Sequence, residues 1–318
     1  MNRILALVAR RLLVLVPVLL GITLLTFIFI HAAPSNPALS VLGTHASSAL
    51  IKAFEQANGL NKPLAEQYLN FLGQLLQGNL GTTLVTGQPV ASVIGNAFPV
   101  TFQLAVFAMV IALVLGLILG AAAAYWSNSI LDLIIRLFSV SWVAAPPFWL
   151  ALLAIEFFSI KLGWLPSGGF VPFAQSPGQW LSSMILPAIS LALPVGGVIA
   201  RVVRAAVISE LNEDYVRSAR GLGLSEFRIM TRYISRNALP APINVIGMQV
   251  GFLLSGAVLT ETIFSLPGVG QLLINSVQQG DLAAVQGIVI VGASLFVLAN
   301  LAVDVITAMI DPRIEVAA

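Results

Sequence analysis

Six apolar stretches recur along the chain, and each is long enough, or nearly so, to cross a bilayer as a helix. Such a helix takes about 17–25 predominantly apolar residues. The third stretch contains Pro146-Pro147, and the short fourth contains Pro187 and Pro194, so we expect kinked helices there. The stretches are Leu12–Ile30, Thr101–Tyr125, Leu133–Ile160, Met184–Ala200, Ile243–Phe264 and Ala283–Ile310.

The composition supports an integral membrane protein. Hydrophobic residues make up 58% of the 318 positions and charged residues 9%, whereas soluble chains have about 25% charged residues. We therefore predict an all-α membrane protein, a six-helix bundle with a sizeable outer loop. The first stretch follows Arg3, Arg10 and Arg11 as a secretion signal would, but its 19 apolar residues exceed the roughly 7–15 of a signal. We expect it to be retained as a membrane helix.

The arginines and lysines predict the orientation, because cytoplasmic loops of membrane proteins are enriched in both. With the N-terminus in the cytoplasm, 12 of these residues lie in cytoplasmic segments and 3 outside, namely Lys52, Lys62 and Lys161. Both termini are then cytoplasmic. The predicted parts are residues 1–31 (N-terminus and first span), 32–100 (extracytoplasmic loop domain), 101–310 (five-span core with a cytoplasmic loop at about 201–242) and 311–318 (cytoplasmic tail).

The outer loop contains two predicted helices. The first runs over Ser47–Asn58 and ends at Gly59, and the second starts near Pro63, followed by apolar residues at helical spacing. Apolar stripes of this strength need a surface to cover. We expect the two helices to form a cap over the outer mouth of the bundle.

The large cytoplasmic loop contains a short helix. Asn212 is a candidate N-terminal cap, and Gly223 is placed to end the helix. Ala219 and Gly223 lie four residues apart, which predicts a face of small residues that a partner protein could approach closely. Ser225 can cap a second helix. On it Arg228, Arg232 and Arg236 form one stripe, best interpreted as contacts to phosphate headgroups.

This loop resembles the EAA loop of ATP-binding-cassette (ABC) importer permeases, in the form of the dipeptide/oligopeptide branch, which has D-Y-V-R-x-A-R-x-x-G-L followed by R-N-A-L-x-P. Here Asp214–Leu224 reads D-Y-V-R-S-A-R-G-L-G-L and Arg236–Pro240 reads R-N-A-L-P. Arg217-Ser218-Ala219 replaces the Glu-Ala-Ala that names the motif, as is usual in this branch. Further matches in order are Gly59–Leu64, Gly78–Gly81, Gly163–Gly168, Glu261–Gly270 and Asp311–Ile314.

The resemblance implies the first of two paired permeases in an importer of the inner membrane. It implies a heterodimer with a second homologous permease, one or two ABC ATPase subunits, and a substrate-binding protein on the outer face. ATP and Mg²⁺ would bind to the ATPase subunits, and this chain would hold no cofactor. The residues implied to contact the ATPase are Asp214, Tyr215, Arg217, Ser218, Ala219, Arg220, Gly221, Gly223, Asn237 and Pro240.

The implied cargo is peptides. Nickel, glutathione or haem-type cargo are alternatives in the same family. Independently of the resemblance, the sequence contains no G-x-x-x-x-G-K phosphate loop, so an ATP-driven machine needs a separate ATPase. An ion-coupled secondary transporter is the competing class, but such proteins usually place ionisable groups in several spans. The first, second and fourth stretches here contain no charged residue.

Enzymatic activity is not expected. The chain has no cysteine and only two histidines, His31 and His45, which excludes thiolate chemistry and makes a histidine metal site improbable. Neither a carboxylate pair nor a Ser-His arrangement stands out, so we predict no catalytic residue, no metal site and no nucleic-acid partner.

Ionisable residues in membrane segments default to a functional interpretation because they are costly in lipid. The three carboxylates among them are Glu156, Glu261 and Asp304. Glu156 lies near the outer end of its helix and can reach water, and Asp304 can pair with a cytoplasmic arginine. Glu261 precedes a turn containing Pro267, Gly268 and Gly270, and either orders that turn or forms part of a gate. Glu261, the three turn residues and Asp304 are the gate candidates.

Overall fold

The computed structural model describes residues 2–32, 37–43 and 45–310, and this part is helical apart from turns and one isolated β-bridge between Thr82 and Pro89. The helices up to residue 211 are α1 (Asn2–Ala32), α2 (Pro37–Leu42), α3 (Ser48–Ala57), α4 (Leu64–Leu76), α5 (Val90–Tyr125), α6 (Ile130–Ala144), α7 (Pro147–Ala154) and α8 (Pro177–Leu211). The helices after residue 211 are α9 (Asp214–Gly221), α10 (Glu226–Arg228), α11 (Ser235–Ala238), α12 (Pro240–Ile263), α13 (Val269–Gln278) and α14 (Leu282–Ile310). Two π-helical segments, Ile155–Lys161 and Ile229–Ile234, follow α7 and α10.

Four of the described helices are long and apolar enough to cross a membrane: α5, α8, α12 and the Leu282–Ala302 part of α14. A fifth candidate is the pair Ile130–Ala144 and Pro147–Lys161, which bends by 106° at its break. The kink expected at Pro146-Pro147 is therefore confirmed. The first predicted stretch corresponds to a shorter apolar segment, Leu13–Phe29, inside α1. The count of six spans stays a prediction.

The chain divides into two compact units. Over the described positions, the first unit consists of residues 2–4, 102–266 and 299–310, and the second of residues 5–101 and 267–298.

Helix α8 is the central element of the first unit, and α6, α7 and α12 all pack against it. The sequence predicted only Met184–Ala200 as this span, but the helix continues for 35 residues and includes Pro187 and Pro194, both buried. It is also the most buried of the four long candidates. Because α8 packs against other helices, small residues such as Gly196 and Gly197 occupy positions where a lipid-facing helix would have large apolar side chains. The hydrophobicity of this segment is therefore lower, which made the span hard to predict.

Glycines set the closest helix contacts in this unit. A Cβ at Gly116 of α5 would lie 2.5 Å from the Ile199 side chain, and one at Gly120 would lie 2.6 Å from the Ala200 carbonyl oxygen. A Cβ at Gly197 would lie 2.7 Å from the Ser139 carbonyl oxygen of α6. Since no real side chain fits at such distances, α5 and α6 approach α8 backbone to backbone.

The second unit confirms both helices predicted in the outer loop. Helix α3 begins after Ser47, whose hydroxyl accepts the Leu50 N–H, and α4 begins after Pro63. The stripe of α4 covers α1: Tyr68 contacts Thr23 at 3.0 Å between the hydroxyl oxygens, and its ring lies 5.3 Å from that of Phe27. A small core of Val90, Ile94, Ala284 and Ile288 joins the starts of α5 and α14. A cap over the bundle stays a prediction.

Candidate functional site

Helix α9 forms where the sequence predicted a helix, but its start differs. Asn212 does not cap it. Asn212 ends α8 instead, and its side-chain amide donates to the Ile208 carbonyl at 2.9 Å. Glu213 holds the cap position of α9 without a side-chain hydrogen bond. Asp214 lies in the first turn and Arg220 in the last, so both charges complement the helix dipole.

The end of α9 confirms the role predicted for Gly223. This glycine has φ +76°, a left-handed conformation that side chains with a Cβ rarely adopt. Its N–H donates to the Arg220 carbonyl at 2.9 Å, and the Leu224 N–H donates to the Ala219 carbonyl at 3.2 Å. These two bonds are the Schellman pattern, which satisfies carbonyls at a helix end.

The predicted face of small residues is wrong. Ala219 is only 5% exposed and packs against its own chain, as does Val216. Gly223 lies beyond the last residue of α9. Because the chain turns there in a left-handed conformation, Gly223 does not lie on the same helix face as Ala219, contrary to the prediction from their spacing of four residues. Large side chains at the turn point outward instead: Leu222 is 81% exposed and Phe227 is 79% exposed. We call Arg217, Leu222 and Phe227, all exposed, the loop tip.

Polar contacts hold the loop together around Tyr215. Its hydroxyl donates to the Glu210 carboxylate at the end of α8, and the Asn237 side chain also interacts with it. Burial first, and then the Glu210 hydrogen bond, raises the pKa of Tyr215, while Asn237 acts in the opposite direction. The D-Y-V-R and R-N-A-L segments, 22 positions apart between Tyr215 and Asn237, therefore meet at one hydroxyl.

An ion pair links α9 to the next helix. The Arg220 guanidinium donates to both carboxylate oxygens of Glu226, at 2.7 and 3.2 Å. This hydrogen bond raises the pKa of Arg220 and lowers the pKa of Glu226. Ser225 caps the second helix as predicted, since its hydroxyl accepts the Arg228 N–H at 3.4 Å.

The remaining loop residues are also located. Ser218 donates to the Asp214 carbonyl at 3.0 Å, Gly221 is the last residue of α9, and Pro240 is the first residue of α12. Arg228, Arg232 and Arg236 are all exposed. Their contact with headgroups stays a prediction.

The turn after α12 is tightly built. Glu261 is fully buried, as are Phe264 and Leu266, and the Leu266 N–H donates to the Glu261 carbonyl at 2.8 Å. The Gly169 N–H donates to the Phe264 carbonyl at 2.8 Å, and a Cβ at Gly168 would lie 2.7 Å from that oxygen. Two motif segments that the sequence analysis treated separately are thus in contact.

The rest of the gate candidates fall elsewhere. In the second unit, Gly268 holds the cap position of α13 and Gly270 is buried in its first turn. The Val269 N–H donates to the Thr101 hydroxyl at 2.8 Å. The Asp304 side chain lies outside the described residues, as does the D-P-R segment at 311–313. A gate built from Glu261, Pro267, Gly268, Gly270 and Asp304 stays a prediction.

Glu156 is exposed and paired. Its carboxylate lies 3.3 Å from the Lys161 ammonium, and both side chains are more than half exposed. The interpretation of Glu156 as a group that reaches out of the protein agrees with this exposure.

A buried ion pair in the first unit was not predicted from the sequence. Asp132 of α6 has no exposed surface, and both its oxygens accept from Arg204 of α8, at 2.7 and 2.8 Å. Arg136 approaches the same carboxylate to 3.3 Å, and the Asn128 N–H donates to it at 3.1 Å. A signal was present: Asp132 stands three residues after Ser129, the spacing of a helix cap, and it is an acid beside a long apolar run.

Comparisons with known proteins identify the family of this chain. Residues 112–316 match the family described as the binding-protein-dependent transport system inner membrane component, and residues 4–105 match its N-terminal family. The chain belongs to this family. It is a permease subunit of an ABC transport system and a multi-pass protein of the inner membrane.

Similar proteins cover the whole length of this permease. A putative peptide transport system permease protein of Brucella suis biovar 1 (strain 1330) is 38% identical over 310 residues, 98% of this chain and 99% of that protein. The glutathione transport system permease protein GsiC of Pectobacterium atrosepticum is 39% identical over 306 residues, 96% of this chain and 97% of that protein.

A solved structure shares the fold. The inward-facing MetNI methionine ABC transporter matches with a TM-score of 0.57 and 16% identity, over 70% of this chain and 97% of the other. At that identity the likeness concerns the fold alone.

Proposed function

We propose that this permease forms half of a translocation pathway for short peptides, in a heterodimer with a second permease. The support for peptides is that full-length relatives at 36–39% identity are named for peptide or glutathione transport. Glutathione is itself a tripeptide, so the two names describe one chemical class.

The rest of the assembly follows from the same proposal. ATP and Mg²⁺ bind to separate ABC ATPase subunits, and a binding protein delivers the peptide on the outer face. This chain contributes no catalytic site. Both termini face the cytoplasm, which is supported by the 12-to-3 distribution of arginine and lysine.

The loop tip is the proposed contact with the ATPase. Leu222 and Phe227 are large apolar side chains, about four-fifths exposed, on a loop stiffened by the Arg220–Glu226 pair and the Tyr215 contacts. Anchors of this kind dominate protein interfaces when they enter a pocket of the partner. Arg217 of the loop tip has a side chain that is 72% exposed, and its 3.3 Å pair with Asp214 is exposed as well, so the guanidinium can exchange that partner for carboxylates of the ATPase.

The experiment is reconstitution of the complete importer in liposomes with its binding protein. ATP-dependent uptake of radiolabelled trialanine or glutathione is expected, without uptake of nickel. Leu222→Ser and Phe227→Ser should each reduce ATPase copurification about 10- to 150-fold, because full burial of such a side chain is worth about 1.5–3 kcal/mol.

The matched control is Leu76→Ser, since Leu76 is 89% exposed but lies on α4 in the second unit. It should leave copurification at the wild-type level. Copurification that survives both loop-tip changes would mean that the ATPase binds elsewhere. Uptake that follows an ion gradient without ATP would favour the secondary-transporter class.

A further inference from the structure

A cleft of about 630 Å³ opens in the second unit, between the outer end of α1, helix α4, the turn before α5 and the start of α14. Six side-chain amides line it: Asn58, Gln67, Asn70, Gln74, Gln77 and Gln286. Lys62 and His31 also line it, and no carboxylate does among the lining residues that the structure describes. Amides that both donate and accept are the groups that match a peptide backbone.

Gln286 is the decisive residue. It is 93% buried on the first turns of α14, lines the cleft, and makes no side-chain hydrogen bond within the described part of the chain. Within the described part of the chain, Ser159 Oγ is the one fully buried side-chain polar atom without a hydrogen-bond partner. The Gln286 amide is therefore open to the cleft, where it can bond a group from outside. By contrast, the Gln67 amide is already used, since it donates to the Leu60 and Lys62 carbonyls at 3.1 and 2.8 Å.

The position of Gln286 is fixed by its neighbours. Asp281 caps α14 through the Ala284 N–H at 3.1 Å and also accepts the Val85 N–H at 3.4 Å. A Cβ at Gly287 would lie 2.5 Å from the Val90 side chain, so this turn of α14 packs directly on the start of α5. An amide held on such a frame is preorganised to receive a ligand.

Gly73 is the second observation. It lies inside α4 between Phe71 and Gln74, where glycine is the least favourable residue after proline. A Cβ there would meet no atom within 4 Å, so packing within the protein does not require a glycine. Its open side faces the cleft, and any larger side chain would narrow it.

We propose that this cleft is a peptide-binding site on the permease itself, in which Gln286 bonds the peptide backbone. The inference rests on the proposed peptide transport. The Lys62 ammonium attracts the peptide carboxylate only in part, since it already lies 2.8 Å from Glu66. The amides therefore supply most of the recognition, which suits peptides of varied side chains.

The test measures equilibrium binding of radiolabelled trialanine and glutathione to the complete permease–ATPase complex in nanodiscs, without the binding protein. Gln286→Leu removes the amide at similar volume, and Gly73→Phe fills the cleft. Each should weaken binding about tenfold or more. The matched controls are Gln279→Leu, an exposed glutamine outside the cleft, and Gly95→Phe, a helical glycine that also meets nothing within 4 Å.

Wild-type binding that both cleft variants weaken and both controls retain supports the site. Absence of saturable wild-type binding, or equal binding by all variants, overturns it. If the cleft variants instead weaken only the docking of the binding protein, the cleft is a protein contact and the proposal is also wrong. The same preparation with ATP and the binding protein reports uptake. If the wild type takes up peptide but shows no binding in the cleft, this inference alone is rejected. If the wild type takes up no peptide, the proposed function is rejected.

Discussion

The buried pair of Asp132 and Arg204 allows a direct test of what holds α6 to α8. The change is Asp132→Asn, which keeps the volume of the side chain but removes its charge. Three groups then lose their anionic partner: the Arg204 guanidinium at 2.7 Å, the Arg136 guanidinium at 3.3 Å and the Asn128 N–H at 3.1 Å.

The expected loss in the free energy of unfolding is about 3 kcal/mol. Removing one partner of a buried ion pair costs about 3–5 kcal/mol because the other charge is left uncompensated. The lower end applies here, since the Arg204 side chain is 23% exposed and that of Arg136 is 47% exposed, so both can partly reach solvent. Arg204→Met should cost a similar amount. The double variant should cost less than the sum by about 2 kcal/mol, within the range of coupled contacts.

The assay is reversible unfolding by SDS in mixed micelles, followed by circular dichroism. Glu156→Gln is the matched control: it breaks a 3.3 Å pair with Lys161 in which both side chains are more than half exposed. Such pairs are worth about 0–1 kcal/mol. Equal and small losses for Asp132→Asn and Glu156→Gln, or strict additivity in the double variant, would refute the reasoning.

Two further changes test the turn after α12 and the loop that contains α9 and α10. Gly168→Ala should lower the free energy of unfolding by about 1–3 kcal/mol, because the new Cβ would lie 2.7 Å from the Phe264 carbonyl oxygen. The control Gly178→Ala, whose Cβ would meet nothing within 4 Å, should leave the free energy of unfolding unchanged. Equal effects of the two changes in SDS unfolding would contradict this. The pair with Arg220 lowers the pKa of Glu226 from its ordinary value of 4.5. The pair therefore stabilises the loop fully above pH 4.5, and this stabilisation disappears as the pH falls through the lowered pKa of the folded state. Hydrogen exchange of the loop should accelerate below that pH, after correction for intrinsic rates, and Glu226→Gln should remove the pH dependence; a variant that keeps it would show that another group titrates.

The sequence predicted several helix ends correctly from local signals. Ser47 and Pro63 begin the outer-loop helices, and Gly223 ends α9, because caps and left-handed turns are decided by a few neighbouring residues. The bend at Pro146-Pro147 follows from the same local logic. The wrong cap, Asn212, is instructive: one residue separates α8 from the cap of α9, and an asparagine serves either end of a helix.

Long-range packing was not readable from the sequence. Ala219 was predicted to face a partner protein, but in the fold it is buried within its own chain. The spacing of residues shows which of them share a helix face, but not what that face contacts. The burial of α8 was missed for the same reason, since small residues in a membrane segment lower its apolar signal whether or not protein surrounds it. Asp132 and Arg204, 72 positions apart, become a pair only through the packing of α6 on α8.

These contacts also limit how motion can pass from α9 to the rest of the first unit. Helix α8 leads through Asn212 and Glu213 directly into α9, so a displacement of α9 acts on α8. At Gly116 and Gly197, α5 and α6 lie so close to α8 that sliding would make atoms overlap. The two hydrogen bonds from the Arg204 guanidinium to Asp132 also hold α8 to α6 in one orientation. Shear needs interfaces that can slip. We therefore expect the part of α5 around Gly116 to move together with α6 and α8, and we expect bending at the break before Pro146 and in the π-helical segments.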